Sequence, residues 1–242
     1  MNEADLTRLT KEYALTEVGA DLVGIADALD PEFDVAPKGH KPIERLPNAR
    51  SIVVIGRKVL SSVLETTPSG MFNKHYEQIN HWLDEASYKI VRFLEGKGFK
   101  NIWFPESEPL EYLWQQRIAG EKLPCPSISH IRCAVAAGLG IRGRVGVVLT
   151  PQFGPRQRWN SVITTAPLVP SPRFQEELCL ERIVPGSCGD RCIKICQEKQ
   201  RGALRPWPEE GGVEWLRCNW TYLRKTGWSC GLCINDCPVG RE

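Results

Sequence analysis

Long apolar runs are absent from this sequence, and their absence excludes one class of protein. No run approaches the roughly 18 apolar residues that a bilayer span requires, so the sequence predicts no membrane span. The N-terminus has acidic residues where a secretion signal needs basic ones, and it has no twin-arginine pair. We therefore expect a cytoplasmic protein, in which clustered cysteines more often bind metal or act in catalysis than form disulfides.

A strong charge of either sign is also missing. The chain has 31 basic and 29 acidic residues and a net charge of +2, so nothing indicates a nucleic-acid partner or an anionic membrane surface. Its 242 residues, 42% of them hydrophobic, suffice for one substantial core with an appended module.

The ten cysteines are distributed very unevenly. Cys125 and Cys133 stand alone in the first part, where we expect ordinary buried thiols. The proline-rich segment PLVPSPRF separates this part from the remaining cysteines, and the predicted domains are residues 1–168 and 169–242. The C-terminal domain holds Cys179, Cys188, Cys192, Cys196, Cys218, Cys230, Cys233 and Cys237.

The first part alternates between helix-like and strand-like segments. Apolar spacing predicts a helix that ends at Gly19 and a clear amphipathic helix over residues 76–94. The stretches ADLVGIADA, SIVVIGR and KNIWFP are typical of strands, CAVAAGLG is helix-like, and RVGVVLTP is predicted as a further buried strand. This alternation predicts a mixed α/β fold.

The C-terminal cysteines follow a spacing typical of ferredoxins. Cys230, Cys233, Cys237 and Pro238 form C-x2-C-x3-C-P, in which the cysteine before proline reaches across to the other of two clusters. Eight cysteines match two 4Fe-4S clusters. One predicted ligand set is Cys196, Cys218, Cys230 and Cys233, and the other is Cys188, Cys192 and Cys237, with Cys179 as the candidate fourth ligand.

Other interpretations of these cysteines remain open. The run Cys188, Cys192, Cys196 is irregular, with Gln197 where a proline is expected, so this half could hold no cluster. Zinc ribbons usually have two C-x2-C pairs and this chain has one, while disulfides do not suit a cytosolic chain. The aromatic residues of this region could shield clusters from water or simply form a core: Trp207, Trp215, Trp220, Tyr222 and Trp228.

A glycine-rich segment precedes the cysteine-rich domain. Gly138, Gly140 and Gly143 lie between a predicted helix and a predicted strand, where glycine permits positive φ and a close backbone approach to a ligand. The order helix-then-strand is the reverse of the dinucleotide fingerprint. On these residues alone, a tight helix-to-strand turn is the preferred explanation of the glycines.

The stretch AGLGIRGRVGVVLTPQFGPRQR, followed by VITTAPL and two cysteine runs, resembles the corrinoid-dependent reductases. This family comprises reductive dehalogenases and epoxyqueuosine reductases, and TPQFGPR is closer to the dehalogenase branch. The resemblance implies a nitroreductase-like α/β domain that binds cobalamin, followed by a ferredoxin-like module with two 4Fe-4S clusters. It also implies corrinoid contacts at Gly138, Leu139, Gly140, Gly143, Arg144, Thr150, Pro151, Phe153 and Gly154.

The implied function is the reduction of a small-molecule substrate by cobalamin, with electrons arriving through the clusters from a low-potential donor of the ferredoxin or flavodoxin type. The epoxyqueuosine branch has an acidic proton donor before its Gly-Leu-Gly, whereas this chain has no carboxylate between Lys122 and Arg142, which disfavours epoxyqueuosine reduction. Tyr112, His130 and Arg142 are candidate donors by nearness in the sequence alone, and a packing or surface role is the preferred explanation of each. Two alternatives are an electron-transfer protein without a corrinoid and a protein that reduces the corrinoid of a partner.

Overall fold

A computed structural model describes residues 1–105, 127–199, 202–209, 213, 218 and 229–240. The chain forms two compact units, each assembled from three separate stretches. The first unit comprises Met1–Arg57, Asn80–Leu139 and Arg158–Arg173. The second unit comprises Lys58–Ile79, Gly140–Gln157 and Phe174–Glu242.

The described elements are α-helices, short β-strands, one π-helical turn and one 3₁₀ turn. The helices are α1 Glu3–Glu12, α2 Pro42–Arg45, α3 Ser61–Leu64, α4 Gly70–Glu95, α5 His130–Ala136, α6 Leu180–Ile183, α7 Arg191–Lys199 and α8 Leu232–Asp236. The strands are β1 Leu22–Asp27, β2 Ser51–Lys58, β3 Asn101–Trp103, β4 Ile141–Arg142, β5 Val148–Leu149 and β6 Gln157–Thr164. A π-helical turn covers Tyr13–Glu17 and a 3₁₀ turn covers Pro31–Phe33.

A four-stranded sheet with the order β1-β2-β6-β3 organises the first unit. Strands β1 and β2 pair antiparallel, with Leu22 opposite Gly56, and β3 pairs antiparallel with β6. Residues 51–56 of β2 are buried throughout, as expected for an interior strand covered on both faces. The mixed α/β class predicted from the sequence is therefore confirmed.

The predicted helices are present, with ends that follow local capping chemistry. The Asn2 side chain accepts the Asp5 amide at 2.8 Å and so begins α1, a cap that stabilises a helix by about 1 kcal/mol. The π-helical turn extends this helix to Gly19, whose φ of +81° suits a glycine that ends a helix. Helix α4 buries Leu83, Ile90 and Leu94, each worth about 1.5–3 kcal/mol of transfer free energy.

One sheet strand, β6, lies where the sequence predicted none. Its polar residues resemble a loop, yet Asn160, Ser161 and Thr164 are fully buried. The Asn160 amide donates to the Leu83 carbonyl at 3.4 Å and to the Asp84 carboxylate at 3.2 Å. Because these bonds offset the cost of burying polar atoms, a polar strand can lie inside the sheet.

The prediction of a buried strand at RVGVVLTP was wrong in extent. Only Val148–Leu149 is extended there, and it pairs with Ile141–Arg142 in a separate two-stranded hairpin of the second unit. Val145 and Val148 are buried in that unit, so their apolar character reflects local packing rather than a place in the main sheet.

Among the helices in the described ranges, none combines the length and the apolar character that a membrane crossing requires.

Candidate metal centre

Two short helices of the second unit, α7 and α8, carry cysteines at matching intervals and pack against each other. Cys192 and Cys196 lie four residues apart on α7, while Cys233 lies on α8 and Cys237 caps its end. Residues four apart lie on the same helix face, about 6 Å apart along the axis. Each helix can therefore present one thiol to each of two neighbouring sites.

The first group of thiols borders one cavity and comprises Cys179, Cys188, Cys192 and Cys237. The remaining wall is mostly apolar and includes Val145, Val147, Leu149, Pro155, Leu180, Pro238 and Val239. Cys233 also reaches this cavity. We call Cys179, Cys188, Cys192 and Cys237 the first thiol set.

The second thiol set is Cys196, Cys218, Cys230 and Cys233. The charges of Cys230 and Cys196 act on Cys218, and those of Cys218 and Cys230 act on Cys233, so the four thiols lie within electrostatic range of one another. Three members of this set lie in or against an apolar cluster formed by Val145, Ile193, Ala203 and Leu204.

Burial and the neighbouring thiols disfavour the ionised thiolate form of these cysteines. Burial, followed by the charges of Cys237 and Cys179, raises the pKa of Cys192 to about 12. Burial and the neighbouring thiols raise the pKa of Cys218 to about 11 and that of Cys233 well above its usual range. A thiolate set in such surroundings needs cations to balance it, and the irons of a cluster supply that charge.

The donor chemistry of both sets fits a 4Fe-4S cluster. The nine cysteines in the described ranges are free of disulfides. Within those same ranges, no three His, Cys, Asp or Glu side chains converge as the ligands of a single ion would. The first thiol set instead borders an apolar cavity. Thiolates are the usual protein ligands of iron-sulfur clusters. The two groups coincide with the predicted ligand sets, while ligation itself stays a prediction.

Charged residues brace the loop that carries Cys188. The Glu181 carboxylate accepts the Gly186 amide at 2.6 Å and the amides of Cys188 and Asp190 at 3.3 Å. These backbone donors, Gly186 foremost, lower the pKa of Glu181 to about 2. Arg144 pairs with Asp190 at 2.9 Å. The loop is thus held on both sides by side chains, which orients Cys188 before any metal binds.

The glycines predicted to contact a corrinoid are packed against the chain itself. A Cβ at Gly138 would collide with the Pro172 carbonyl, and one at Gly140 with the Leu149 carbonyl. The Leu149 side chain fills the space beside Gly143. The Val239 carbonyl fills the space beside Gly154. At each of these four glycines the chain itself therefore occupies the side on which a Cβ would lie.

Three of the other predicted corrinoid contacts, Thr150, Phe153 and Arg144, have partners within the chain. The Thr150 hydroxyl donates to Gln157 Oε1 at 3.1 Å and accepts the Phe153 amide at 3.1 Å. The Lys58 ammonium lies 5.3 Å from the centre of the Phe153 ring. Leu139, Pro151 and Arg144 complete the predicted set, and Arg144 forms the ion pair with Asp190 given above. The contact set as a whole stays a prediction.

The candidate proton donors are engaged in contacts wherever they are described. The His130 ring lies 3.0 Å from Ser161 Oγ and 3.0 Å from the Pro105 carbonyl. The Arg142 guanidinium lies 5.3 Å from the centre of the Trp207 ring. Several residues singled out in the sequence lie outside the described residues: Tyr112, Cys125, Trp215, Trp220, Tyr222 and Trp228.

Sequence reasoning missed Arg156, which is 4% exposed and binds the tail around Cys237. Its guanidinium donates to the carbonyls of Val239 at 2.6 Å and Cys237 at 2.5 Å. The signal available in the sequence was an arginine at the end of TPQFGPR, next to an otherwise buried strand.

Curated relatives connect this arrangement to a known group of enzymes. Tetrachloroethene reductive dehalogenase of Sulfurospirillum multivorans is 30% identical over 282 aligned positions, which cover 97% of this chain and 50% of the relative. The enzyme of the same name from Dehalobacter restrictus is 26% identical, with 91% and 45% covered. No family model matches the chain.

Solved structures show the same fold. An epoxyqueuosine reductase aligns with a TM-score of 0.68 at 20% identity, over 99% of this chain and 66% of that one. The catabolic reductive dehalogenase NpRdhA aligns with a TM-score of 0.74 at 19% identity, over 100% and 32%. The chain therefore resembles the reductive dehalogenase and epoxyqueuosine reductase family in sequence and fold.

Members of the family are reductases, so the predicted oxidoreductase class is supported. The chain spans about half the length of the curated dehalogenases it matches. What those dehalogenases act on therefore enters only as part of a proposal.

Proposed function

We propose that this protein is an iron-sulfur oxidoreductase of the corrinoid-dependent, reductive dehalogenase-like type. A low-potential donor of the ferredoxin or flavodoxin type would supply electrons to two 4Fe-4S clusters, which pass them to a cobalamin that reduces a small substrate. The observation that carries this proposal is the pair of four-thiol sets sharing α7 and α8. The predicted nitroreductase-like and ferredoxin-like domains and the cytoplasmic location belong to the same proposal.

The chain's own part in this chemistry is to hold two clusters close together and away from water. Cys192 and Cys196 are one helical turn apart and serve different sets, so the two clusters would be near neighbours. Apolar side chains such as Val145 and Leu149 line the first cavity. Low solvent exposure around a cluster is one of the features that set its reduction potential.

The corrinoid enters this proposal through the family alone. When bound, it would supply the cobalt that passes electrons to the substrate. Because the chain itself occupies the Cβ side of four glycines predicted to contact the corrinoid, a second candidate function is tested beside the first: an electron-transfer protein that carries clusters and no corrinoid. A protein that reduces the corrinoid of a partner is a further version of this second candidate.

Metal analysis of the full chain separates these functions. The protein would be purified without oxygen from a host supplied with cobalamin, and iron, sulfide and cobalt would be measured per chain. About eight irons with about one cobalt support the corrinoid reductase. About eight irons without cobalt, even after added cobalamin, favour the electron-transfer protein, and zinc in place of iron contradicts both.

A matched pair of variants tests the assignment of thiols to sets. Cys192→Ser and Cys196→Ser change the same helix one turn apart, and each should lower the iron content from about eight to about four. Electron paramagnetic resonance should show a different surviving cluster in each variant. Cys133→Ala is the control, because Cys133 is buried in the first unit. If Cys192→Ser leaves the iron content unchanged, the irregular first run holds no cluster.

A further inference from the structure

The TPQFGPR segment forms a tight, internally bonded turn in the second unit. The Thr150 amide donates to the Gly154 carbonyl and the Gly154 amide donates to the Thr150 carbonyl, each at 2.9 Å. The Phe153 amide donates to the Thr150 hydroxyl, and that hydroxyl donates to Gln157. The turn is thus rigid before it meets the rest of the unit, which suits a structural platform.

The C-terminal tail lies directly against this turn. A Cβ at Gly154 would collide with the Val239 carbonyl, and a Cβ at Gly240 would collide with the Gly154 amide nitrogen. Two glycines therefore face each other across this contact, and backbone meets backbone without intervening side chains. Cys237, Pro238 and Val239 of this tail all border the first cavity.

Arg156 ties the same tail down from the end of the turn. Its guanidinium donates to the carbonyls of Val239, Cys237 and, at 3.5 Å, Asn235. These carbonyls lie at and just beyond the C-terminal end of α8. Its own backbone is held as well, because the Val59 amide donates to the Arg156 carbonyl at 2.9 Å.

The position of this charge is unusual because Arg156 is buried. A buried cation is screened much less by water and salt than a surface cation. The Arg156 guanidinium donates directly to the Cys237 carbonyl, so this poorly screened charge lies next to the cysteine that borders the first cavity.

We propose that Arg156 is a positioning residue for Cys237 and the electrostatic partner of the cluster held by the first thiol set. This inference rests on the proposed function, in which that set holds a cluster. A cation beside a cluster stabilises the added electron, so Arg156 raises the reduction potential of this cluster. The TPQFGPR turn then serves the iron-sulfur centre through the tail.

Three variants of the full chain test the charge separately from the packing. Arg156→Lys keeps the charge, Arg156→Met removes it at similar length, and Arg50→Gln removes a charge from an exposed ion pair with Glu3 in the first unit. Iron is counted in each protein. Both cluster potentials are then measured by redox titration with electron paramagnetic resonance, using Cys192→Ser to identify the signal of the other cluster.

We expect Arg156→Met to lower the equilibrium constant for reduction of the first-set cluster at least about tenfold, which is about 59 mV for one electron. Arg156→Lys should restore most of this potential, and Arg50→Gln should leave it unchanged. Loss of about four irons in Arg156→Met, with about eight retained in Arg156→Lys, would support the same conclusion.

Other results would overturn the inference. Wild-type potentials in Arg156→Met would show that the charge does not act on the cluster. Equal loss of all iron in both Arg156 variants would show a role in overall folding only. A wild-type protein without iron would instead overturn the proposed function from which the inference starts.

Discussion

Cysteine illustrates how the surroundings divide one residue type into different roles in this protein. Cys133 is fully buried in the first unit, and burial raises the pKa of its thiol to about 12. The charges that act on its thiol are those of Glu32 and Arg132, and it fills space as a small apolar residue does. In the two thiol sets, Cys179 and Cys196 are also buried and the other six cysteines are partly buried, but their neighbours are other thiols.

The raised pKa of Cys133 predicts a specific dependence of stability on pH. Because the folded pKa lies above the unfolded value, the stability contribution is complete below about pH 9 and is lost as the pH rises towards 12. Over this window the wild-type free energy of unfolding should fall more steeply than that of Cys133→Ala, by up to about 1.4 kcal/mol per pH unit. Urea denaturation at several pH values measures both slopes, and parallel curves would contradict the prediction.

Secondary-structure elements show where local patterns suffice. Helix α4 was predictable because its apolar residues recur on one face. Strand β6 was not, because Asn160 and Ser161 resemble loop residues until their distant partners, Leu83 and His130, are known. The packing of the glycine-rich segment was equally unpredictable, because some of its glycines contact residues that are distant in the sequence.

A substitution at Gly154 distinguishes two roles of this glycine: packing against the C-terminal tail and contact with a corrinoid. The Gly154→Ala variant would strain a residue whose φ is +55°, and its Cβ would collide with the Val239 carbonyl. The tail around Cys237 should therefore detach, and the iron content should fall from about eight towards about four. A corrinoid contact at Gly154 would instead predict unchanged iron and reduced cobalt.

The control for this variant is Gly39→Ala. Gly39 also has a positive φ, +84°, but no atom lies near its missing Cβ. It should share the backbone strain of about 1–2 kcal/mol without changing either metal. Iron loss in Gly39→Ala would mean that general destabilisation, rather than the contact with the tail, causes the effect.

At the scale of the whole molecule, the cysteine-bearing unit includes segments far from the cysteines in sequence. The Gly231 amide donates to Thr67 Oγ at 2.9 Å, and the Ser229 amide donates to Asn73 Oδ1 at 2.8 Å. The Phe72 ring lies close to Gly231. The stretch Lys58–Ile79 therefore depends on the C-terminal tail for its partners.

This dependence predicts a pattern of hydrogen exchange. Removing the clusters with a chelator should lower the protection of residues 58–79 together with residues 140–157 and the cysteine-rich tail, because metal binding and folding are coupled. Strands β1 and β2 in the first unit should keep their protection as the internal reference. Retained protection of residues 58–79 alongside an exposed tail would contradict this pattern.

The sequence by itself determined the number of cysteines, their spacing and the mixed α/β class, because these follow from covalent order and local periodicity. It also carried the family resemblance that the relatives confirm. The tertiary structure decided which thiols share a cavity, that Arg156 binds the tail, and that Gly154 faces Val239. These features depend on contacts between residues far apart in the chain, which no local pattern records.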